Sequence, residues 1–173
     1  MNNSSQPFEY LAGGKVVSLQ LDQDYVGVRT HRLDEELRQK FESSLKLRMQ
    51  SVGNGLILIN SQEMPAELAT QLSEAQALVP VFRDAETQVI PLPEVRIEPP
   101  AGKAGSSRGM KSVHRWVDKH EARAKILTDQ PDRLVLAPRS GYGPDAMTLA
   151  GDIARKFSSI TATPRFVRVT RRI

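Results

Sequence analysis

The chain has 173 residues, contains no cysteine and carries a formal net charge of +4. The absence of cysteine excludes disulfides and thiolate metal sites, and no stretch approaches the ~18 apolar residues that a membrane-spanning helix needs. Charge is uneven, because residues 1–98 hold 9 basic and 14 acidic residues (net −5) whereas residues 99–173 hold 15 and 6 (net +9).

The first seven residues, Met1 to Pro7, are polar and have no charged side chain. A secretory signal places a cationic segment before an apolar one, and neither is visible here. We therefore expect a soluble, cytoplasmic protein without a membrane partner. The basic second half predicts an acidic partner or a solvated basic surface.

The predicted elements begin with a β-hairpin over Phe8–Ala12 and Lys15–Leu21, because Gly13-Gly14 between them suits the positive φ of a tight turn. Tyr25–Arg29 follows as a short strand. The apolar spacing then lengthens to four residues, which predicts an amphipathic helix. Its apolar residues are Leu33, Leu37, Phe41 and Leu45.

Two strands are predicted around the turn Asn54-Gly55. The first, Leu47–Val52, is weak, whereas Leu56–Ile59 is apolar at every position and is expected to be covered on both faces. Pro65 suits the first turn of a second helix, since its missing N–H costs nothing there. The strand Val79–Phe82 closes this part of the chain.

A polar turn at 84–88 leads to a short strand at Val89-Ile90 and then to Glu94–Glu98, which alternates polar and apolar residues as a half-buried strand does. Residues 99–112 are rich in Pro, Gly, Ser and Lys and predict a flexible loop. Ser112 is the predicted N-cap of a third helix. The remaining elements are strands at Ala124–Leu127 and Arg133–Ala137, a helix from Gly143 and a strand at Phe166–Val169.

The two halves therefore repeat the succession strand, helix, strand, strand, helix, strand, and each closing strand contains Pro-x-Phe, at Pro80 and at Pro164. This succession is that of the ferredoxin-like split βαβ plan. It predicts an α+β protein of two tandem ferredoxin-like units, each an antiparallel sheet with helices on one face, preceded by the hairpin. The predicted domains are residues 1–92 and 93–173.

No catalytic or metal-binding set stands out, and we expect a non-enzymatic protein without cofactor or metal. The three histidines lack metal-ligand spacing, and Asp22 and Asp24 are expected in a solvated turn. Ser140 lacks the glycine two residues earlier that a serine nucleophile elbow needs. The loop Arg139, Ser140 and Gly141 is a candidate anion-binding loop ahead of a helix N-terminus.

Nucleic-acid binding remains an alternative function. The ferredoxin-like plan also serves RNA-recognition domains, but these stack bases on aromatic residues, whereas the strands here offer Leu, Val and Ile. The basic end of the chain could contact phosphates without sequence specificity, through Arg165, Arg168, Arg171 and Arg172. A third alternative is an assembly subunit with an acidic and a basic end.

Three stretches resemble the N-terminal propeptide region of bacterial subtilisin-like serine proteases. They are residues 9–29, beginning Glu-Tyr-Leu-Ala-Gly-Gly-Lys; residues 79–97, beginning Val-Pro-Val-Phe-Arg-Asp; and residues 132–168, ending Thr-Pro-Arg-Phe-Val-Arg. Together they cover most of residues 8–169. Two features depart from the family: the loop at 99–112 is long, and a protease domain is missing from these 173 residues.

The resemblance implies an inhibitor, folding chaperone or regulatory adaptor of a subtilisin-like serine protease domain, acting in cis or in trans. In that family the sheet face packs on two protease helices, and the C-terminal tail lies in the substrate cleft as a cleaved product would. The candidate partner-binding tail here is Arg165, Arg168, Val169, Thr170, Arg171, Arg172 and Ile173. An extended tail of this kind binds a cleft by strand addition.

Overall fold

The structure is a computed structural model that describes residues 8–12, 14–44, 49–99 and 107–170. The strands are β1 (Phe8–Ala12), β2 (Lys15–Arg29), β3 (Gln50–Gly53), β4 (Leu56–Asn60), β5 (Leu78–Asp84), β6 (Thr87–Glu98), β7 (Ala124–Gln130), β8 (Arg133–Pro138) and β9 (Thr161–Thr170). The α-helices are α1 (Glu35–Ser44), α2 (Ala66–Glu74), α3 (Ser107–Lys119) and α4 (Gly143–Lys156).

Within the described residues, these strands form one nine-stranded sheet. Its hydrogen-bonded order is β3-β4-β2-β5-β6-β8-β7, with β1 paired to β2 and β9 paired to β6. The pairing is antiparallel between β2 and β4, β2 and β5, β5 and β6, and β6 and β8.

The prediction of two tandem ferredoxin-like units with separate sheets was wrong, because the described strands join a single large antiparallel sheet. The reason lies in β6, which the sequence divided into Val89-Ile90 and Glu94–Glu98. It runs unbroken for 12 residues and pairs first with β5 and then with β8. Pro91 and Pro93 lie between the β6 residues that pair with β5 and those that pair with β8, where a strand tolerates a missing N–H.

The four helices were predicted, but two pairs of predicted strands were wrongly divided: Lys15–Leu21 and Tyr25–Arg29 are both part of β2, as Val89-Ile90 and Glu94–Glu98 are of β6. Ser112 is not an N-cap: α3 begins at Ser107, and the Ser112 hydroxyl donates to the Arg108 carbonyl at 2.9 Å inside the helix. The last strand begins at Thr161, so Pro164 lies within it. Of the predicted loop 99–112, residues 100–106 lie outside the described residues.

The described residues divide into two compact units. The first unit comprises residues 19–90 and 167–170. Asp34 immediately precedes α1, and its carboxylate accepts from the Leu37 N–H at 2.7 Å, a capping interaction of the usual kind. The helices and the strand residues facing them enclose a core of Val28, Leu33, Leu37, Phe41, Ile59, Leu68, Leu72 and Ala77.

The other face of the sheet is also buried in the first unit. Val28 and Ile59 face the helices, so the residues that alternate with them face away. These residues are Leu56, Leu58, Val79 and Val81, each 4% exposed or less. The prediction that the stretch Leu56–Ile59 is covered on both faces agrees with this burial.

A buried carboxylate holds β2 against β5 in the first unit. The register between the two strands shifts between Leu21 and Val26, and Asp22 lies in this irregular stretch with 3% of its surface exposed. Asp22 accepts from Arg83 at 2.8 and 3.3 Å, from the Gln88 amide at 2.9 Å and from the Asp24 N–H at 3.0 Å. The expectation of a solvated turn for Asp22 was therefore wrong.

Burial alone would raise the pKa of the Asp22 carboxyl. The hydrogen bonds from Arg83, Gln88 and the Asp24 N–H outweigh this effect and hold the pKa below its ordinary value. The same pairing raises the pKa of Arg83. Both residues are therefore ionised throughout the neutral range.

The second unit comprises residues 8–18 and 91–166. Its core lies between the sheet and the helices α3 and α4, and consists of Val95, Ile97, Met110, Val113, Trp116, Val117, Ala124, Leu134, Leu136, Ala146, Leu149, Ala150, Ile153, Ile160 and Ala162. The Tyr10 ring lies 5.1 Å from the Phe166 ring, which ties the N-terminal hairpin to β9.

Candidate docking face

The structure places the described part of the predicted partner-binding tail in β9. The Arg165 guanidinium pairs with Glu94 at 2.5 Å, and Arg168 pairs with Asp84 at 3.0 Å. Val169 is 7% exposed and Thr170 ends the strand. Arg171, Arg172 and Ile173 lie outside the described residues. Residues 165–169 therefore belong to the sheet, and a role of the tail in a partner's cleft stays a prediction.

The candidate anion-binding loop uses many of its donors within the protein. The Arg139 Nε donates to the Glu121 carbonyl at 2.8 Å, and the Gly141 N–H donates to the Pro138 carbonyl at 3.0 Å. The Ser140 hydroxyl donates to the Asp145 carboxylate at 2.6 Å. Asp145 lies in the first turn of α4, where a negative charge is stabilised by the helix dipole. Anion binding at this loop remains a prediction.

The face of the second unit that points away from α3 and α4 is polar. Val95 and Ile97 of β6 point into the core, so Glu94, Arg96 and Glu98 point to the opposite face. The register Arg96↔Val135 places Val135 of β8 on that same face. We call this surface the open face; its members are Glu94, Arg96, Glu98, Arg133, Val135, Ala137, Thr161, Thr163 and Arg165.

The open face has a small apolar centre and a charged periphery. Val135 and Ala137 are 8% and 4% exposed, beneath longer charged neighbours whose side chains stay partly in water. Arg165 and Arg96 are 43% and 39% exposed and lie beside Glu94 and Glu98, the second pair at 3.7 Å. The Nε atoms of Arg96 and Arg133 have no hydrogen-bond acceptor within the part of the chain that the structure describes.

The resemblance implied that a free sheet face is the docking surface, without naming the residues that form it. The alternation Glu94-Val95-Arg96-Ile97-Glu98 predicted a strand with one polar face, but no site was assigned to its charged residues. The contrasting stretch Leu56–Ile59, apolar throughout, distinguished the covered sheet of the first unit. The two patterns together distinguish a strand covered on both faces from a strand with one polar face.

The histidines form local contacts rather than a cluster. His114 Nε2 lies 3.2 Å from the Asp129 carboxylate, and His120 donates through Nδ1 to the Trp116 carbonyl at 2.7 Å. The His120 ring stacks on Trp116 with centroids 4.3 Å apart. Burial, followed by the charges of Arg29 and Arg32, lowers the pKa of His31. Within the described ranges, no three His, Asp or Glu residues are grouped as metal ligands would be.

Comparison with known proteins gives no match to a family model, to a curated protein or to a solved structure. Among the described residues, no helix combines the length and the apolar character needed to cross a membrane.

Proposed function

We propose that the chain is a non-catalytic binding protein that acts on a subtilisin-like serine protease, as the propeptide of such a protease does. The resemblance of residues 9–29, 79–97 and 132–168 motivates the proposal. The structural observation that supports it is the open face of the second unit, a partly exposed sheet surface opposite the helices. Its action would be inhibition, assistance in folding, or regulation of the protease.

The geometry of the open face suits contact with a partner's helices. Val135 and Ala137 lie at its centre beneath longer charged side chains, so a partner helix would meet those charged side chains first and reach the apolar centre where they move aside. Arg96, Arg165 and Glu98 surround this centre and can exchange their present ion pairs for pairs with the partner. Such peripheral charges set specificity and association rate more than affinity.

The proposal places the cleft-filling segment after β9. Thr170 is the last residue of the strand, and Arg171, Arg172 and Ile173 follow it in the sequence. An extended segment in a protease cleft gains affinity from backbone hydrogen bonds and selectivity from side-chain pockets. The sheet would thus hold the protein on the protease while the following residues occupy the cleft.

The direct test is inhibition of a panel of mature bacterial subtilisin-like proteases, measured by hydrolysis of a chromogenic peptide. Removal of residues 171–173 is expected to weaken inhibition while complex formation on size exclusion persists. The proposal fails if the intact chain neither inhibits, nor forms a complex, nor assists refolding of any denatured protease of the panel.

A matched pair of substitutions tests the open face itself. Thr163 is exposed on β9 on this face, and Thr148 is exposed on α4 on the helix side of the same unit. Thr163→Arg should weaken the complex at least tenfold by steric obstruction, whereas Thr148→Arg should leave it unchanged. Equal effects of the two variants would exclude the open face as the contact surface.

A further inference from the structure

Helix α3 carries a row of four exposed basic residues along one side. They are Arg108, Lys111, Arg115 and Lys119, which we call the basic stripe. Their spacing of three, four and four residues keeps them within an arc of about 80° at 100° per residue. At 1.5 Å per residue, the stripe extends for about 16 Å along the helix.

These four cations have no ionic partner among the described residues, whereas two other arginines of the second unit do. Arg123 pairs with Asp152 at 2.7 Å, and Arg165 pairs with Glu94. In the described part of the chain, the four stripe side chains form neither an ion pair nor a hydrogen bond. Asp118, which borders the stripe, is the single acidic residue in the sequence of α3.

The opposite side of α3 fixes the direction in which the stripe points. Val113, Trp116 and Val117 are buried in the core of the second unit. Near the start of the helix, a Cβ built on Gly109 would lie 2.7 Å from Ile160 Cγ2, so the backbones pack closely there. The helix backbone beneath the stripe is therefore held against the core, and no large exposed apolar side chain lies beside the stripe on the helix.

We propose that the basic stripe binds the phosphodiester backbone of a nucleic acid. A linear row of cations of one sign, 4.5 to 6 Å apart along the axis, complements a polymer with a regularly repeated negative charge. An acidic protein surface fits less well, because protein interfaces have an apolar core that the stripe lacks. A membrane surface fits less well too, since the apolar side of α3 is buried in the protein.

Binding at the stripe would not depend on base sequence. Lys and Arg contacts to phosphates supply affinity and register, whereas sequence is read by contacts to base edges. The predicted tail cations are less suited to this role, because Arg165 and Arg168 already pair with Glu94 and Asp84. The stripe lies on the helix side of the second unit and the open face on the other, so the two sites are independent.

The test is a fluorescence-anisotropy titration of labelled oligothymidylate and of a duplex at several salt concentrations. Four phosphate contacts predict a slope of log K against log salt near −3.6 for the duplex and near −2.8 for the single strand. The duplex affinity should therefore fall about 150-fold between 50 and 200 mM salt. Absence of binding at the lowest salt would overturn the proposal.

A matched pair of double variants locates the site. Lys111→Gln with Arg115→Gln removes two stripe charges and should halve the salt slope. Arg155→Gln with Lys156→Gln removes two exposed charges from the last turn of α4 and should leave it nearly unchanged. Equal losses in both would show non-specific attraction and contradict the proposal.

Two further readouts distinguish the alternatives. Stronger binding of polyglutamate competitor to the protein than of oligothymidylate would indicate an acidic protein partner and overturn the nucleic-acid assignment. Inhibition of a subtilisin-like protease should be the same for the stripe variant and the unmodified chain. A stripe variant that loses nucleic-acid binding but still inhibits the protease would support nucleic-acid binding at the stripe. This result would not depend on the role of the open face.

Discussion

Gly143 and Pro91 bring the start of α4 against the backbone of β6 in the second unit. A Cβ built on Gly143 would lie 2.0 Å from the Pro91 carbonyl oxygen and 2.7 Å from the carbonyl carbon. Such distances are far inside van der Waals contact, and the obstructing atoms are backbone. Glycine is required here for space, and the helix could not begin where it does with any other residue.

We expect Gly143→Ala to lower the free energy of unfolding by about 3 kcal/mol or more, because the obstructing peptide cannot move aside without disturbing β6. The measurement is urea-induced unfolding followed by circular dichroism. Gly151→Ala, in the same helix, is the control. Its added Cβ would meet only the mobile end of Arg155, at 2.9 Å, so the helix propensity of alanine should give up to about 1 kcal/mol of stabilisation. Similar losses in both variants would contradict this interpretation.

Asp22→Asn should destabilise the first unit by roughly 1–3 kcal/mol, since it weakens the hydrogen bonds from Arg83 and Gln88 to a buried acceptor. The lower end is favoured because the Arg83 side chain is 42% exposed and stays hydrated when its partner is neutral. Asp24→Asn is the control, since Asp24 is 59% exposed and lies 3.5 Å from Arg83. That substitution should change stability by less than about 0.5 kcal/mol.

The Asp22 carboxylate makes the stability of the folded protein depend on pH in a definite direction. The pKa of Asp22 is lower in the folded protein than its ordinary value near 3.8. Its contribution to stability is therefore fully present above that value and is lost as pH falls through the folded-state pKa. Below about pH 4, the free energy of unfolding should fall more for the unmodified chain than for the Asp22→Asn variant. Parallel acid-unfolding curves would show that Asp22 does not titrate in this way.

The sequence predicted the elements better than their assembly because periodicity is a local signal. Leu33, Leu37 and Phe41 identified α1 through their spacing, and Asn54-Gly55 identified the turn between β3 and β4. Pairing between distant strands leaves no such local mark. The continuity of β6 through Pro91 and Pro93 was hidden, since proline usually argues against a strand interior.

The candidate sites were missed for reasons that can be stated residue by residue. The predicted start of α3 at Ser112 placed Arg108 and Lys111 in a loop, so their common side with Arg115 and Lys119 could not be recognised. Asp22 was placed in a turn because neither Arg83 nor Gln88, its partners, is near it in sequence. Arg165 was counted as a free cation because its pairing with Glu94 spans 71 positions.

We expect Gly109→Ala to lower stability by about 1 kcal/mol, from two opposing effects. Alanine should favour the helix by nearly 1 kcal/mol, whereas its Cβ would lie 2.7 Å from both Ile160 Cγ2 and Ser159 Oγ. Overpacking prevails because Ile160 is buried in the core and cannot withdraw. Ser112→Ala, on the same helix, should be neutral or slightly stabilising in the same unfolding assay. If Gly109→Ala instead raised the free energy of unfolding, α3 would be able to move away from Ile160 without loss of stability.

Gln76→Gly should stabilise the first unit by up to about 1 kcal/mol. Gln76 has a φ of 54° just after the end of α2, a left-handed conformation that glycine adopts without steric cost. The surrounding hydrogen bonds use backbone atoms, from the Gln76 N–H to the Ser73 carbonyl and from the Ala77 N–H to the Leu72 carbonyl, both at 2.9 Å. They therefore survive the substitution, as does the bond from the Arg29 guanidinium to the Gln76 carbonyl.

The neighbouring position supplies the control for this gain. Ala75 has a φ of −73° in the right-handed helical region, where glycine offers no steric relief and costs conformational entropy. Ala75→Gly should therefore lower stability by about 0.5–1 kcal/mol. The two variants differ by one position and should move the urea midpoint in opposite directions. A shift of both in the same direction would mean that the left-handed residue at the end of α2 is not strained, because the helix end adapts to either residue.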